Sequence, residues 1–252
     1  MHDKDLASLN RVAVVTGGTT GIGGAVAREL GARGYNLLLV ALEDSDNLAV
    51  ELTKQGSAAY FLKIDLSLPE SAAKTIVEAA LGYFGRIDLL VNCAGVISYK
   101  DVALITDSDW DRIFAINLKA PFFLIQQAFP HLKQSGGNII NVSSTNAINP
   151  AKKNQLYDSL KAALNNLTMG LALDFRDSGV RVNAVMPGGV RTPLVVQWLR
   201  EYLGREPVET DFDIAALAKP EQIAKAIAVL ASDEMSWVNG VTLPVDGGYL
   251  LG

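Results

Sequence analysis

The stretch Val12-Ala13-Val14-Val15-Thr16-Gly17-Gly18-Thr19-Thr20-Gly21-Ile22-Gly23 decides the fold of this chain. Residues 12–16 run apolar without alternation, as a strand covered on both faces does. Glycines then stand where a chain must turn sharply, approach a phosphate, and pack a helix on a strand. The segment 23–33 that follows has helical period, and a helix N-terminus offers free N–H groups and partial positive charge to a pyrophosphate. The spacing is G-x-x-x-G-x-G rather than G-x-G-x-x-G. With 22 glycines in the chain such a cluster says little alone; its place directly behind the first strand gives it weight.

Outward from that stretch, further short runs rich in Val, Ile and Leu lie at 36–41, 58–64, 87–92, 138–143, 181–186 and 241–245. Segments of helical period, such as 71–84, 109–134 and 156–177, lie between them. This alternation predicts an α/β fold, a doubly wound parallel sheet of about seven strands with helices on both faces. No repeat, low-complexity tract or Pro/Ser-rich linker divides the chain, so residues 1–252 read as one domain. The segment 190–219 breaks the rhythm. Leu194, Val195, Trp198, Leu199 and Tyr202 share one helical face, which reads as a lid over a substrate pocket or as a helix packed on the body.

With 49% hydrophobic and 19% charged residues, the chain has the apolar content of a globular protein, not of a disordered one. The formal charge of −5 argues against a nucleic-acid binder, which needs a basic face. One cysteine excludes an internal disulfide, and with only His2 and His131 no zinc or other metal site is expected. Residues 1–10 are polar and mixed in charge, unlike a signal or transit segment. The longest apolar runs fall far short of the roughly 20 residues that span a bilayer, so no membrane partner is expected and the location is read as cytoplasmic.

Further elements now fall in order. Asn92-Cys93-Ala94-Gly95 follows the fourth strand, Asn117 lies within Ile116-Asn117-Leu118, and Ser144 ends the fifth strand. Tyr157-Asp158-Ser159-Leu160-Lys161 forms Y-x-x-x-K, Pro187-Gly188-Gly189-Val190-Arg191-Thr192 forms P-G-x-x-x-T, and Val245-Asp246-Gly247-Gly248 closes the pattern. In these motifs, and in Thr16-Gly17 to Gly23 as T-G-x-x-x-G-x-G, essentially the whole chain resembles the short-chain dehydrogenase/reductase family. Only Cys93 departs, standing where the family more commonly has Asn.

The resemblance implies a Rossmann fold and an NAD(P)-dependent oxidoreductase acting on a secondary alcohol or ketone. It carries catalytic roles onto Asn117, Ser144, Tyr157 and Lys161. It carries cofactor contacts onto Gly17, Thr19, Gly21, Ile22, Gly23, Asp65, Leu66, Asn92, Ala94, Gly95, Tyr157, Lys161, Pro187, Gly188, Val190 and Thr192. Asp65 would meet adenine, Lys161 the nicotinamide ribose, and Val190 and Thr192 the carboxamide. Asn117 would help hold a water that relays protons from Lys161. Helices 109–134 and 156–177 would pair between subunits, giving a homotetramer or homodimer.

Read from the residues, Tyr157 and Lys161 stand i,i+4 and share a helical face, as would a plain surface pair. A phenol has an unperturbed pKa of about 10, and a neighbouring ammonium is expected to lower it. Tyr157 would then give a proton to a carbonyl oxygen or take one from an alcohol. Ser143 and Ser144 point to opposite faces, so one alone faces the pocket. The family's Ser-to-Tyr interval selects Ser144, which would hydrogen-bond the substrate oxygen. Without a G-x-S-x-G elbow or a histidine triad it is no nucleophile. Pro121 cannot donate to the carbonyl of Asn117, which is left free by a kink. Cys93 reads as a buried, inert thiol.

The ribose 2′ position is read at the end of the second strand. Ala41-Leu42-Glu43-Asp44 supplies no base there, and a 2′-phosphate would meet Glu43, Asp44 and Asp46 without a counter-charge, so NAD is preferred with NADP as the alternative. A 3-oxoacyl-[acyl-carrier-protein] reductase is the alternative activity. Its acidic carrier needs a basic docking face, for which only Lys133, Lys152, Lys153 and Arg176 are scattered candidates. Asn146, Asn149, Asn154 and Gln155 suggest either a hydrogen-bonding pocket edge for small hydroxy compounds or a polar surface loop. A non-catalytic dinucleotide sensor on the same fold could dispense with Tyr157 and Lys161, and both are present.

Overall fold

The computed structural model describes residues 10–44, 46–208, 211 and 217–252. Residues 1–9, His2 among them, lie outside the described residues, as do 45, 209–210 and 212–216; the last two groups belong to the 190–219 excursion. The strands are β1 Val12–Thr16, β2 Asn36–Ala41, β3 Ala59–Lys63, β4 Leu89–Asn92, β5 Asn138–Val142, β6 Arg181–Pro187 and β7 Thr242–Val245. They form one parallel sheet of order β3-β2-β1-β4-β5-β6-β7.

Successive side chains of a strand face opposite ways, and here both faces are covered. Ala13, Val15, Leu37, Leu39, Leu89 and Val91 pack on one side with residues of α1 (Gly21–Ala32) and α8 (Pro220–Ala231). Val14, Leu38, Val40, Leu90 and Ile139 pack on the other with α3 (Pro69–Phe84) and α5 (Ala120–Ser135). Val14 lies between Leu38 and Leu90 in register, and all three are buried. That double burial is the physical reason for unbroken apolar runs. Each such leucine contributes about 2 kcal/mol.

The helices differ from the expected segments in one informative place. The stretch expected as a single helix at 109–134 is α4 (Asp107–Phe114), a π-helical turn (Ala115–Lys119) and then α5. Pro121 has no N–H to close the ordinary bond to residue 117, and the wider turn accommodates that loss. A capping box starts α4: Asp109 N–H donates to Thr106 Oγ1 at 3.2 Å and Thr106 N–H to Asp109 Oδ2 at 3.0 Å. Helix α2 (Leu48–Lys54) has no counterpart among the expected segments; α6 (Gln155–Asp174) and α7 (Pro193–Leu203) fall within a few residues of expectation.

Strand order runs one way from β1 to β3 and the other from β4 to β7. At such a reversal the helices that follow β1 and β4 cover opposite faces of the sheet, and a crevice opens at the carboxyl ends of the strands.

Candidate active site

The glycine loop between β1 and α1 has no room for a Cβ at Gly17, Gly18 or Gly23. Gly17 takes φ +62° and a Cβ on it would lie 3.0 Å from Ala94 Cα, while a Cβ on Gly23 would lie 2.1 Å from the Gly17 carbonyl oxygen. The two motif loops are thus pressed together. Thr16 Oγ1 joins them, accepting from the Cys93 and Ala94 N–H groups at 3.0 and 3.1 Å. At the start of α1, Thr20 makes no side-chain cap and no acidic residue occupies the first turn. Its leading N–H groups suit the pyrophosphate of a dinucleotide.

Thr19 donates through Oγ1 to the Glu43 carbonyl at 2.8 Å, tying the glycine loop to the end of β2. Asp44 caps α2, accepting from Leu48 N–H at 2.9 Å and Ala49 N–H at 3.4 Å. Ile22 packs on the core from the first turn of α1. Asp65 is exposed just past β3, where its Oδ1 accepts from Ser67 N–H at 2.8 Å, and Leu66 is half-buried beside it. Asn92 is different. Its buried amide donates to Asn141 Oδ1 at 2.8 Å, so that side chain ties the carboxyl end of β4 to β5.

Across the crevice, Ser144, Tyr157 and Gly188 line a cavity of about 300 Å³ with Ile97, Tyr99, Asn146, Asn154 and Trp198. Ser144 follows β5, and its Oγ accepts from Asn146 N–H at 3.1 Å and bonds the Tyr157 hydroxyl. Ser143 turns the other way and donates to the Lys161 carbonyl at 3.1 Å. Lys161 is buried on α6, one turn beyond Tyr157, with Nζ 5.5 Å from the Tyr157 ring centroid and donating to the Val142 carbonyl at 2.8 Å.

The expected lowering of the phenol does not occur. Burial pushes Tyr157 up to about 12, against the Ser144 hydrogen bond that pulls it down. Burial also takes Lys161 down to about 8. The ammonium stands over the ring and bonds a carbonyl, so it does little for the hydroxyl. A phenol in this state is a proton donor at neutral pH. Burial likewise pushes the Cys93 thiol up to about 12, which keeps it inert.

Asn117 lies in the π turn with its side chain buried. Its Oδ1 accepts from Val96 N–H at 3.0 Å and its Nδ2 donates to the Val96 carbonyl at 2.8 Å. Gly95 sits between Asn117 and Lys161: a Cβ there would meet Asn117 Oδ1 at 3.0 Å and Lys161 Nζ at 3.7 Å. The amide therefore fixes the loop after β4 against the face of α6 that carries Lys161.

The third wall is the excursion after β6. Val190 bridges to Ala218, joining the two roots of the segment, with Arg191 N–H donating to the Ala218 carbonyl at 2.9 Å. Thr192 caps α7 through Oγ1 and faces Gly21, whose Cβ would lie 3.3 Å from Thr192 Cγ2. Gly188, directly after Pro187, packs against Asp246. On α7, Leu194, Val195 and Trp198 face the cavity, while Leu199 is buried. Tyr99, Trp198 and Tyr202 form an aromatic cluster with centroids 5.4 to 5.9 Å apart.

Sequence reasoning missed Tyr99 and Asp158, because nothing in their local sequence marks them. Asn149 and Gln155 are exposed and away from the cavity wall that Asn146 and Asn154 join. A larger cavity of about 480 Å³ lies at the opposite end of the sheet. Of its three arginines, Arg11 is taken by Asp233 and Arg181 by the carbonyls of Leu230, Ser232 and Val238, while Arg176 is exposed and pairs with Asp177 at 3.7 Å.

A glycine-built cradle at a free helix N-terminus and a proton-donating phenol, at the switch point of a doubly wound sheet, are the features of a dinucleotide-dependent oxidoreductase. Residues 17–250 match a family model described as enoyl-(acyl carrier protein) reductase. The 4-formylbenzenesulfonate dehydrogenase of Comamonas testosteroni is 38% identical over 96% of this chain and 98% of its own. Among solved structures, L-sorbose reductase from Gluconobacter frateurii, complexed with NADPH and L-sorbose, superposes with a TM-score of 0.91 at 27% identity, covering 97% of this chain and 98% of its own. The 3-ketoacyl-(acyl-carrier-protein) reductase from Brucella melitensis, complexed with NADH, gives 0.84 at 30% identity over 95% and 98%. The chain belongs to the short-chain dehydrogenase/reductase family and is an NAD(P)-dependent oxidoreductase acting on CH–OH groups.

Proposed function

We propose that the chain interconverts a compact, uncharged secondary alcohol and its ketone, with NAD(H) as the cofactor. The observation that carries this reading is the meeting of Ser144 and Tyr157, with Lys161 behind them, on one cavity beside the glycine cradle. No charged side chain lines that cavity among the described residues, and aromatic and aliphatic groups make up most of its wall.

Gly17, Thr19, Gly21, Ile22 and Gly23 would hold the dinucleotide's pyrophosphate region, Asp65 and Leu66 its adenine. Ala94, Gly95, Pro187, Gly188, Val190 and Thr192 would hold the nicotinamide half, and Lys161 the ribose between. When bound, the nicotinamide supplies or accepts a hydride at the substrate carbon. Tyr157 donates its proton to the carbonyl oxygen in reduction and takes one back in oxidation, and Ser144 steadies the charge on that oxygen. Lys161 replenishes the proton, and Asn117 holds the loop that positions it. The negative field of Glu43, Asp44 and Asp46 at the end of β2 favours NAD over NADP, with no lysine or arginine between residues 37 and 53.

We read the assembly as a cytoplasmic homotetramer or homodimer of single-domain subunits, with the 190–219 segment as the lid. Exposed apolar Phe122 on α5 and Met169 and Leu173 on α6 support pairing through those helices. No helix among the described residues is long and apolar enough to cross a membrane.

The test is a panel of ketones and alcohols followed by nicotinamide absorbance, run with both cofactors on wild type and Tyr157→Phe. The expected result is a higher kcat/KM with NADH than with NADPH. Tyr157→Phe should lose about 10²–10⁴-fold in kcat while still binding NADH. Retained turnover in Tyr157→Phe would falsify the mechanism, and a preference for NADPH would refute the cofactor reading.

A further inference from the structure

Asp158 stands beside Tyr157 and is 4% exposed, yet three N–H donors and no cation face its carboxylate. Asn146 Nδ2 and Asn154 Nδ2 donate to its Oδ1 at 2.9 and 2.8 Å, and Ala151 N–H donates to its Oδ2 at 2.8 Å. All three donors belong to the segment that joins Ser144 to Tyr157.

A carboxylate only accepts hydrogen bonds, so each asparagine must turn its nitrogen toward Asp158. Each amide oxygen is then turned away from that carboxylate. Asn146 is a wall residue of the reaction cavity, next to Ser144 and Tyr157, whereas Asp158 lies behind the wall. The Oδ1 of Asn146 makes no hydrogen bond among the described residues, and that of Asn154 is shut in without a partner. Asn146 therefore presents an unpartnered acceptor at the cavity wall, beside Ser144 and Tyr157.

We propose that the substrate carries a hydroxyl next to its reacting carbonyl, which Asn146 Oδ1 accepts. This makes it an α-hydroxy ketone in one direction and a vicinal diol in the other, with Asp158 as the positioning residue that locks the amide. The proposal rests on the alcohol–ketone reading above and narrows it. A 3-oxoacyl thioester fits poorly, because the methylene next to its ketone and the thioester carbonyl beyond it have no donor to give Asn146 Oδ1. The neighbouring aromatic cluster of Tyr99, Trp198 and Tyr202 suits an apolar ring as the rest of the substrate.

The experiment compares 2-hydroxycyclohexanone with cyclohexanone, each with saturating NADH and, separately, NADPH. In wild type the kcat/KM ratio of the hydroxy ketone to the plain ketone should be at least about tenfold, carried mainly by KM, since a site built to bond a hydroxyl discriminates against analogues lacking it. In Asn146→Ala, which removes the acceptor, that ratio should fall several-fold. In Asp158→Asn, where the amide is free to turn, the ratio should fall too; if that variant does not fold, Asn146→Ala carries the test. A wild-type ratio near one, or a ratio unchanged by Asn146→Ala, overturns the substrate class and leaves the alcohol–ketone reading standing. Absence of turnover of both ketones, and of cyclohexanol and 1,2-cyclohexanediol with the oxidised cofactors, overturns that parent reading and this proposal with it.

Discussion

Gly23 offers the sharpest test of how the cradle is built. An alanine there would place its Cβ 2.1 Å from the Gly17 carbonyl oxygen and 2.7 Å from the carbonyl carbon. Ordinary contact begins near 3.4 Å, so the loop and the helix start must separate by roughly 1.3 Å. The obstacle is backbone and cannot rotate away. Gly17 in turn lies against Ala94, so the shift is passed to the loop after β4. Overpacking of this kind costs about 1–3 kcal/mol or more. Displacement of a binding loop by about 1 Å can cost 10²-fold in function. Gly23→Ala is therefore expected to weaken NADH binding by at least about tenfold, equivalent to about 1.4 kcal/mol. Fluorescence titration with NADH measures it. Gly82→Ala is the control: a Cβ on this exposed glycine of α3 would have nothing within 4 Å, and alanine should raise Tm by about 2–4 °C. If Gly23→Ala bound NADH with an unchanged Kd, close packing of the two loops could not be what shapes the site.

Two further outcomes follow from the buried polar groups. Lys161, held down near 8 when folded, binds fewer protons than the unfolded chain from there up to about 10.5, so its contribution to stability rises with pH across that window. The difference in Tm between wild type and Lys161→Met should accordingly move in favour of wild type from pH 8 to 10; a flat or opposite trend would contradict the burial of a charged lysine. Asn117→Ala removes both bonds to Val96 and should cost about 2 kcal/mol, or roughly 4–8 °C in Tm by circular dichroism. A Tm unchanged within error would show that the amide is dispensable to the loop.

The strands are legible in the sequence because burial on both faces leaves nothing polar to interrupt an apolar run, as at Leu37 to Val40. Their ends are less so: residues 87 and 88 read as strand, but Asp88 uses its side chain to accept from Val12 N–H before β4 begins. The kink at Pro121 is legible as a missing donor, whereas its resolution into a π turn depends on packing against α6. Ser144 against Ser143 turns on a family interval, and the hydrogen bond of Ser143 to Lys161 supplies the physical reason. Asp158 is not legible at all. In Tyr157-Asp158-Ser159 it looks like any acid in a first helical turn, and its meaning arises only when Asn146, Ala151 and Asn154 fold back onto it. The ammonium's effect on Tyr157 escapes the sequence for a related reason, since spacing does not report desolvation.

The bridge between Val190 and Ala218 makes the segment between them an exchangeable cassette. Its two ends are already held at hydrogen-bonding distance by the Arg191 and Ala218 N–H groups. Closure entropy grows only slowly with loop length, so the scaffold can accept a longer or shorter insert at little cost to the sheet. Ser144 after β5 and Tyr157 on α6 lie outside the segment and keep their places, so grafting a relative's excursion between residues 190 and 218 is expected to change the apolar wall made by Leu194, Val195, Trp198 and Leu217 while leaving Asn146 as it is.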